Sequence, residues 1–317
     1  MPNTLQHGGD TGAARARFPG APEPWIDLST GINPLPYPVP ALPPEMWSRL
    51  PTREHEQAFL AAAAKRYGVR DPATIVAAPG TQALIQLLPR LVPHVMPRSR
   101  VVILGPTYEE HAQCWARQGH SVSDSGEADV TIVVNPNNPT GRLLTPQELR
   151  RDGLLIVDEA FIDLLPAEAS LAGDLPPNTI VLRSFGKTWG LAGLRLGCAI
   201  CGKSMAERIR DELGPWAVSG PALEIGRLAL GDDAWLEATR ARLVADQRKL
   251  DALLVAAGFE ILGGTTLFRL ARHRDVPAMV ERLGRHGIHV RSFAYEPTWL
   301  RFGMPGDFER LSLALRP

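Results

Sequence analysis

The chain lacks any surplus of charge. Its 34 Lys+Arg are matched by 34 Asp+Glu, so the formal net charge is zero. A nucleic-acid partner has no basic footprint to meet, and no basic run marks a membrane surface. No apolar stretch approaches the length of a bilayer span. The first ten residues, Met1 to Asp10, are polar and hold no signal-peptide core, which predicts a cytoplasmic protein. Cysteine is scarce. Three residues, an odd number, cannot form a disulfide framework. Cys198 and Cys201 have C-x-x-C spacing, but no second ligand pair accompanies them, so no zinc site is expected. They fall in an apolar run, and an offset of three in a strand puts two side chains on opposite faces. Two reduced structural thiols are predicted. No G-x-G-x-x-G occurs, and both the dinucleotide and the P-loop readings are weak. No internal repeat or low-complexity tract appears.

What is present is a sizeable apolar content, 44% of 317 residues, enough for one large or two ordinary domains. Residues 1–44 are rich in Gly and Pro with little periodicity and read as an extended arm. Helical patterns cover 54–67, 81–91 and 109–118. Short apolar runs at 75–78, 101–104, 130–134, 154–157, 180–182 and 196–200 read as strands. Strands of this kind alternating with helices predict an α/β fold with a mostly parallel sheet covered on both faces. A long helical region over 221–257 follows, stopped by Gly258. Strands near 260–261, 266–270, 289–291 and 298–302 then form a small α+β unit.

Five segments carry chemistry. Ser184-Phe185-Gly186-Lys187 continues through a Gly-rich run to Arg195. A Lys amine can form a Schiff base with pyridoxal phosphate, while the Ser hydroxyl and the planar Arg guanidinium meet its phosphate. Alone, a Ser three residues before a Lys is a weak signal, and the bland reading is a surface Lys in a Gly-rich loop. Gly80 and Thr81 follow a strand and open a helix, which makes either an anion site or an ordinary N-cap. Tyr108, after the next strand, either stacks on a flat ring or packs in the core. Asn135-Pro136-Asn137-Asn138-Pro139-Thr140-Gly141 is a turn cluster at a strand's carboxyl end, where open α/β sheets bind ligands. There Asn138 can donate to a phenolic oxygen. Asp158 ends the strongly apolar run Leu154–Val157, where a carboxylate can hold a protonated pyridine nitrogen. Glu159 points away from it and reads as structural.

In this order the segments resemble the fold-type I pyridoxal-phosphate enzymes, the aspartate-aminotransferase superfamily, from about Ile26 to Arg301. The resemblance implies a large cofactor-binding domain with a seven-stranded, mostly parallel sheet (45–215), a small α+β domain (216–317), and an arm (1–44) that covers the active site. Asn135–Gly141, Asp158–Asp163 and Ser184–Gly197 are similar to the branch holding histidinol-phosphate aminotransferases and threonine-phosphate decarboxylases. His7-Gly8-Gly9, Asp27-Leu28-Ser29-Thr30-Gly31-Ile32-Asn33-Pro34 and Pro215-Trp216-Ala217-Val218 resemble the threonine-phosphate decarboxylases of cobalamin biosynthesis. Aminotransferases usually carry Tyr where Phe161 stands, and Phe161 has no hydroxyl for the cofactor's O3′.

The resemblance implies catalysis by Lys187 and Asp158. It implies cofactor contacts from Gly80, Thr81, Tyr108, Asn138, Asp158, Ser184, Lys187 and Arg195. Substrate contacts fall to His7, Gly8, Gly31, Asn138, Arg291 and Arg301, with Arg301 on the carboxylate and Arg291 on the phosphate. The implied reaction is decarboxylation of O-phospho-L-threonine to (R)-1-aminopropan-2-yl phosphate. The family Asn at position 31 is Gly here, so one contact is missing and phosphoserine or another phospho-amino acid stays open as substrate. A homodimer is implied as well, and direct contact with adenosylcobinamide-phosphate synthase stays open. A histidinol-phosphate-type aminotransferase and a non-catalytic pathway partner are the alternatives.

Overall fold

The computed structural model describes residues 8–91, 98–149 and 152–316. The chain opens with α1 (Thr11–Arg17), β1 (Ile26–Leu28), α2 (Glu45–Ser48) and α3 (Arg53–Tyr67). An alternating stretch follows: β2 (Ile75–Ala78), α4 (Thr81–Leu91), β3 (Arg100–Ile103), α5 (Glu110–Arg117), β4 (Ser121–Ser123) and β5 (Val130–Val134). Next come α6 (Pro146–Leu149), β6 (Leu154–Asp158), β7 (Thr179–Ser184), β8 (Gly197–Cys201) and α7 (Lys203–Leu213). The chain ends with α8 (Gly220–Gly231), α9 (Asp233–Ala256), β9 (Glu260–Thr265), β10 (Phe268–Arg272), α10 (Val276–Arg285), β11 (Ile288–Ser292), β12 (Trp299–Gly303) and α11 (Phe308–Leu315). No helix among the described residues is long and apolar enough to cross a membrane.

Two compact units result. The larger comprises Pro36–Asn138 and Leu143–Leu236, the smaller Met1–Leu35, Pro139–Arg142 and Glu237–Pro317. These boundaries differ from those read off the sequence, after 44 and after 215. Residues 36–44 go with the larger unit because Tyr37 is buried there, edge-on to Trp189 and Trp235. Helix α8 goes with it because its apolar face shares one core with Phe59 and Leu60 of α3. The single helical region read over 221–257 is two helices, separated at Asp232, whose carboxylate accepts from Trp235 N at 2.9 Å.

The larger unit is built on a seven-stranded sheet in the order β2-β8-β7-β6-β5-β3-β4. Strand β8 runs antiparallel to both neighbours, and every other pair is parallel. The central strands are mostly apolar because both faces are covered, and alternate residues feed two separate cores. Ile75, Leu155, Val157, Val181 and Ile200 lie in one; Val76, Leu154, Ile156, Ile180 and Leu182 lie in the other. Cys198 belongs to the first core and Cys201 to the second, so the two thiols point to opposite faces as the offset predicts. Both are buried and free, and burial pushes each thiol up to about 12.

Register sets where the functional segments emerge. Gly197, the first residue of β8, pairs with both Ala78 and Ser184. Asp158 pairs with Val134 and Leu182. The turn after β2, the loops after β5, β6 and β7, and the run into β8 therefore leave the sheet at one end.

In the smaller unit the sheet runs β1-β11-β12-β10-β9, with β1 parallel to β11 and the remaining pairs antiparallel. The arm is more ordered than its composition suggests. Asp10 caps α1 through Ala13 N at 3.1 Å, and three residues of β1 pair beside β11. Arg310 holds the intervening turn by donating to the Pro22 and Pro24 carbonyls.

Candidate active site

The turn between β2 and α4 forms an anion cradle. Gly80 adopts φ +83°, in the left-handed region that favours glycine. A Cβ there would lie 2.7 Å from Arg195 Nη2, so glycine lets the guanidinium settle on the turn. Helix α4 starts at Thr81, and its first N–H groups and its dipole favour negative charge. Ser184 closes β7 beside Gly197, and its Oγ accepts from Gly186 N at 3.3 Å. Arg195 is held in the left-handed region at φ 53°, and its Nη1 donates to Ala192 O at 3.1 Å. The N–H groups at the start of α4, the Thr81 and Ser184 hydroxyls and the Arg195 guanidinium are groups that suit a phosphate monoester.

One string in the chain does spell a P-loop, Gly197-Cys198-Ala199-Ile200-Cys201-Gly202-Lys203-Ser204. Its first five residues are the buried strand β8, so no loop exists there to wrap a phosphate, and the P-loop reading falls on structural grounds.

Asp158 ends β6 almost fully buried, 4% exposed. A buried carboxylate requires partners. Ala160 N donates to Oδ1 at 3.1 Å, and His111 Nε2 lies 3.1 Å from Oδ2. The tautomer with its proton on Nε2 makes His111 a donor to this carboxylate. His111 escaped the sequence reading. Its signal is position: it lies three residues after Tyr108, and the two rings meet edge-on at 6.2 Å.

Glu159 turns the other way, as expected. It accepts from Ser170 Oγ at 2.6 Å, Leu171 N at 2.9 Å and Arg183 Nη1 at 2.9 Å. Arg183 also bonds Asp163 and covers the Tyr67 ring at 4.1 Å. Burial alone would lower the Arg183 guanidinium, but Asp163, Tyr67 and Glu159 more than reverse it. This buried ionic knot ties β6 to β7 directly behind Asp158 and Ser184.

Lys187 is presented from a pinned loop. Phe185 and Trp189 on either side are fully buried and stack at 6.1 Å, and Trp189 stacks in turn on Trp235 at 5.3 Å. Lys187 Nζ lies 5.6 Å from the centroid of Phe161, three residues beyond Asp158. Tyr108 is close enough to Asp158 and Arg195 to feel both charges. The larger unit thus gathers the amine, the carboxylate, the aromatic ring and the anion cradle at one end of its sheet. The loop holding the half-buried Asn138 is braced by Asn135, whose side chain donates to Leu144 O at 3.0 Å and accepts from Leu144 N at 2.8 Å.

The smaller unit, by itself, holds a cationic pair. Arg291 and Arg301 are direct cross-strand partners on β11 and β12 and share a face. Arg301 is buried and donates to Ser29 O. Burial, and then the Arg291 charge, lower Arg301 to about 10, while Asp27 opposes both. An anionic ligand would relieve that repulsion. Ser29 also receives Gly9 N on its Oγ at 2.7 Å and donates to Asp27 Oδ1 at 2.5 Å. A Cβ on Gly8 would run into the Ser29 carbonyl oxygen, which explains a glycine at that position. Gly31 is buried in the same segment. His7 lies outside the described residues.

The sequence matches the model of the family Aminotransferase class I and II over residues 24–124 and 120–315. It is 44% identical to a threonine-phosphate decarboxylase from Sinorhizobium sp over 97% of this chain and 95% of that protein. A threonine-phosphate decarboxylase from Pseudomonas aeruginosa is 40% identical, over 98% and 97% of the two chains. Among solved structures, the histidinol-phosphate aminotransferase of Sinorhizobium meliloti in complex with pyridoxal-5′-phosphate superposes with a TM-score of 0.79. That match has 20% identity and covers 98% of this chain and 94% of the other. With the sheet order, the cradle and the pinned lysine in place, the chain belongs to the aminotransferase class I and II family.

Proposed function

We infer that this chain is a pyridoxal-phosphate-dependent decarboxylase of O-phospho-L-threonine, yielding CO2 and (R)-1-aminopropan-2-yl phosphate for the cobalamin linker. What carries the reading is identity of 44% and 40%, over nearly the whole chain, to two proteins named threonine-phosphate decarboxylase. Bound pyridoxal phosphate supplies an aldehyde for amines and an electron-poor ring that accepts the electron pair left at Cα.

The chain's own residues do the rest. Lys187 provides the amine for the aldehyde and later a proton for Cα. Asp158, which accepts from Ala160 N and faces His111 Nε2, stabilises positive charge on the ring nitrogen. Gly80, Thr81, Ser184 and Arg195 hold the cofactor phosphate. Tyr108 stacks on the ring, and Asn138 donates to O3′, a contact that Phe161 cannot supplement. Arg301 binds the substrate carboxylate and Arg291 the substrate phosphate, and His7, Gly8, Gly31 and Asn138 are the further substrate contacts of this reading. Fixing the carboxylate selects which bond to Cα breaks, and so selects loss of CO2 over loss of a proton. A cytoplasmic homodimer in contact with adenosylcobinamide-phosphate synthase belongs to the same reading.

The test is to incubate the cofactor-loaded protein with O-phospho-L-threonine, and separately with O-phospho-L-serine. The reading expects CO2 and aminopropanol phosphate from the first. Conversion of 2-oxoglutarate to glutamate, without CO2, would assign the chain to the aminotransferases instead.

A further inference from the structure

Tyr108 is tethered through side chains that the sequence does not visibly connect. Its hydroxyl donates to Gln82 Oε1 at 3.1 Å. Gln82 Nε2 donates to Glu110 Oε2 at 2.8 Å. Gln82 is the second residue of α4 and Glu110 the first of α5, so two helix starts and the loop between them are joined. Glu110 is buried, and the Cys114 thiol also points at its Oε2, at 3.7 Å.

The polarity of this chain is forced. A carboxylate offers only acceptors, so the Gln82 amide must turn its NH2 to Glu110. Its carbonyl oxygen then faces Tyr108, and Tyr108 can only donate to it. The hydroxyl proton is committed along a line that ends at the buried Glu110 side chain. A phenol held at its para oxygen also cannot swing about its side-chain torsions.

We propose that Gln82 and Glu110 are positioning residues that lock the plane of the Tyr108 ring and draw its hydroxyl proton away from the reacting atoms. Tyr108 therefore works as a stacking face and not as an acid, and protonation of Cα is left to Lys187. The proposal rests on the pyridoxal-phosphate reading of the site. The phenol is suited to it: burial, followed by the Glu110 charge, pushes Tyr108 up to about 12, so it stays a donor at neutral pH.

The experiment uses cofactor-loaded wild type, Tyr108→Phe, Gln82→Leu, the double variant and Glu110→Gln. Cofactor affinity is read from the visible band, ring orientation from the band's circular dichroism, and proton donation from the pH profile of kcat/KM. Tyr108→Phe and Gln82→Leu should each weaken the cofactor about fivefold, the worth of one hydrogen bond. The double variant should be no worse than Gln82→Leu alone, because the bond that Tyr108→Phe removes is already cut in it. Gln82→Leu should alter the circular dichroism, and Glu110→Gln should do so less, since an amide at 110 no longer dictates the orientation of Gln82. The alkaline midpoint should be the same in wild type and Tyr108→Phe. Additive losses of about 25-fold in the double variant would overturn the proposal. So would an unchanged dichroism in Gln82→Leu, or an alkaline limb that moves when the hydroxyl is removed. Gln82→Asn, which keeps the amide but shortens its reach, replaces Gln82→Leu if the latter does not fold. Absence of any visible band in the wild type would sink the cofactor reading itself, and this proposal with it.

Discussion

Replacing His111 by Phe probes the carboxylate without touching it. Phenylalanine keeps the volume and the edge-on contact with Tyr108, so packing is nearly preserved. What goes is the Nε2–H at 3.1 Å from Asp158 Oδ2, leaving only Ala160 N on a carboxylate that is 4% exposed. Removing one partner of a buried charged acceptor costs about 2 kcal/mol, which is roughly a 30-fold change. In the proposed mechanism that loss falls on the Asp158 carboxylate as it faces the cofactor's ring nitrogen. The expected result is a fall of about 30-fold in kcat/KM, with weaker cofactor binding in a spectroscopic titration. His111→Gln, which restores an N–H donor, should recover part of it. A His111→Phe variant within twofold of wild type in both measurements would refute the reasoning.

Gly80→Ala should weaken pyridoxal phosphate about tenfold, because the left-handed backbone is strained and the new Cβ displaces Arg195. In the same titration pyridoxal, which has no phosphate, should lose little; equal losses would contradict the cradle. Arg183→Met leaves Glu159 and Asp163 buried without their cation and should cost about 3–5 kcal/mol in urea unfolding, against the expectation of a neutral surface change if the knot is unimportant. At pH 8 a thiol raised to about 12 is ionised in only about one molecule in 10,000, so Cys198 and Cys201 should react with a thiol reagent only after denaturant is added.

The seven strands of the larger sheet differ in how plainly they show in the sequence. Val130–Val134 and Leu154–Asp158 stand out because a strand buried on both faces reads as a nearly continuous apolar run. Ser121–Ser123 does not, since it is a polar edge strand of three residues. The arm hides α1 and β1 for a related reason: seven and three residues are too few to establish a period. Lys187, Asp158 and Arg195 are legible because each sits in a string whose spacing has chemical meaning. His111, Gln82, Glu110 and Arg183 are not. Their partners lie 47, 28, 28 and 24 residues away in the chain, and only the folded sheet brings them together. The pairing of Arg291 with Arg301 likewise depends on antiparallel register, which composition does not encode.

The central claim is that Lys187 and Asp158 hold opposite ends of one heterocycle. The direct measurement loads the protein with pyridoxal phosphate labelled with 15N in the ring, records the nitrogen resonance, then reduces with borohydride and maps the modified peptide. The account predicts a protonated ring nitrogen in wild type, loss of that signature in Asp158→Ala, and the label on Lys187. A label on another lysine, or a ring nitrogen that keeps its signature when Asp158 is removed, would contradict it.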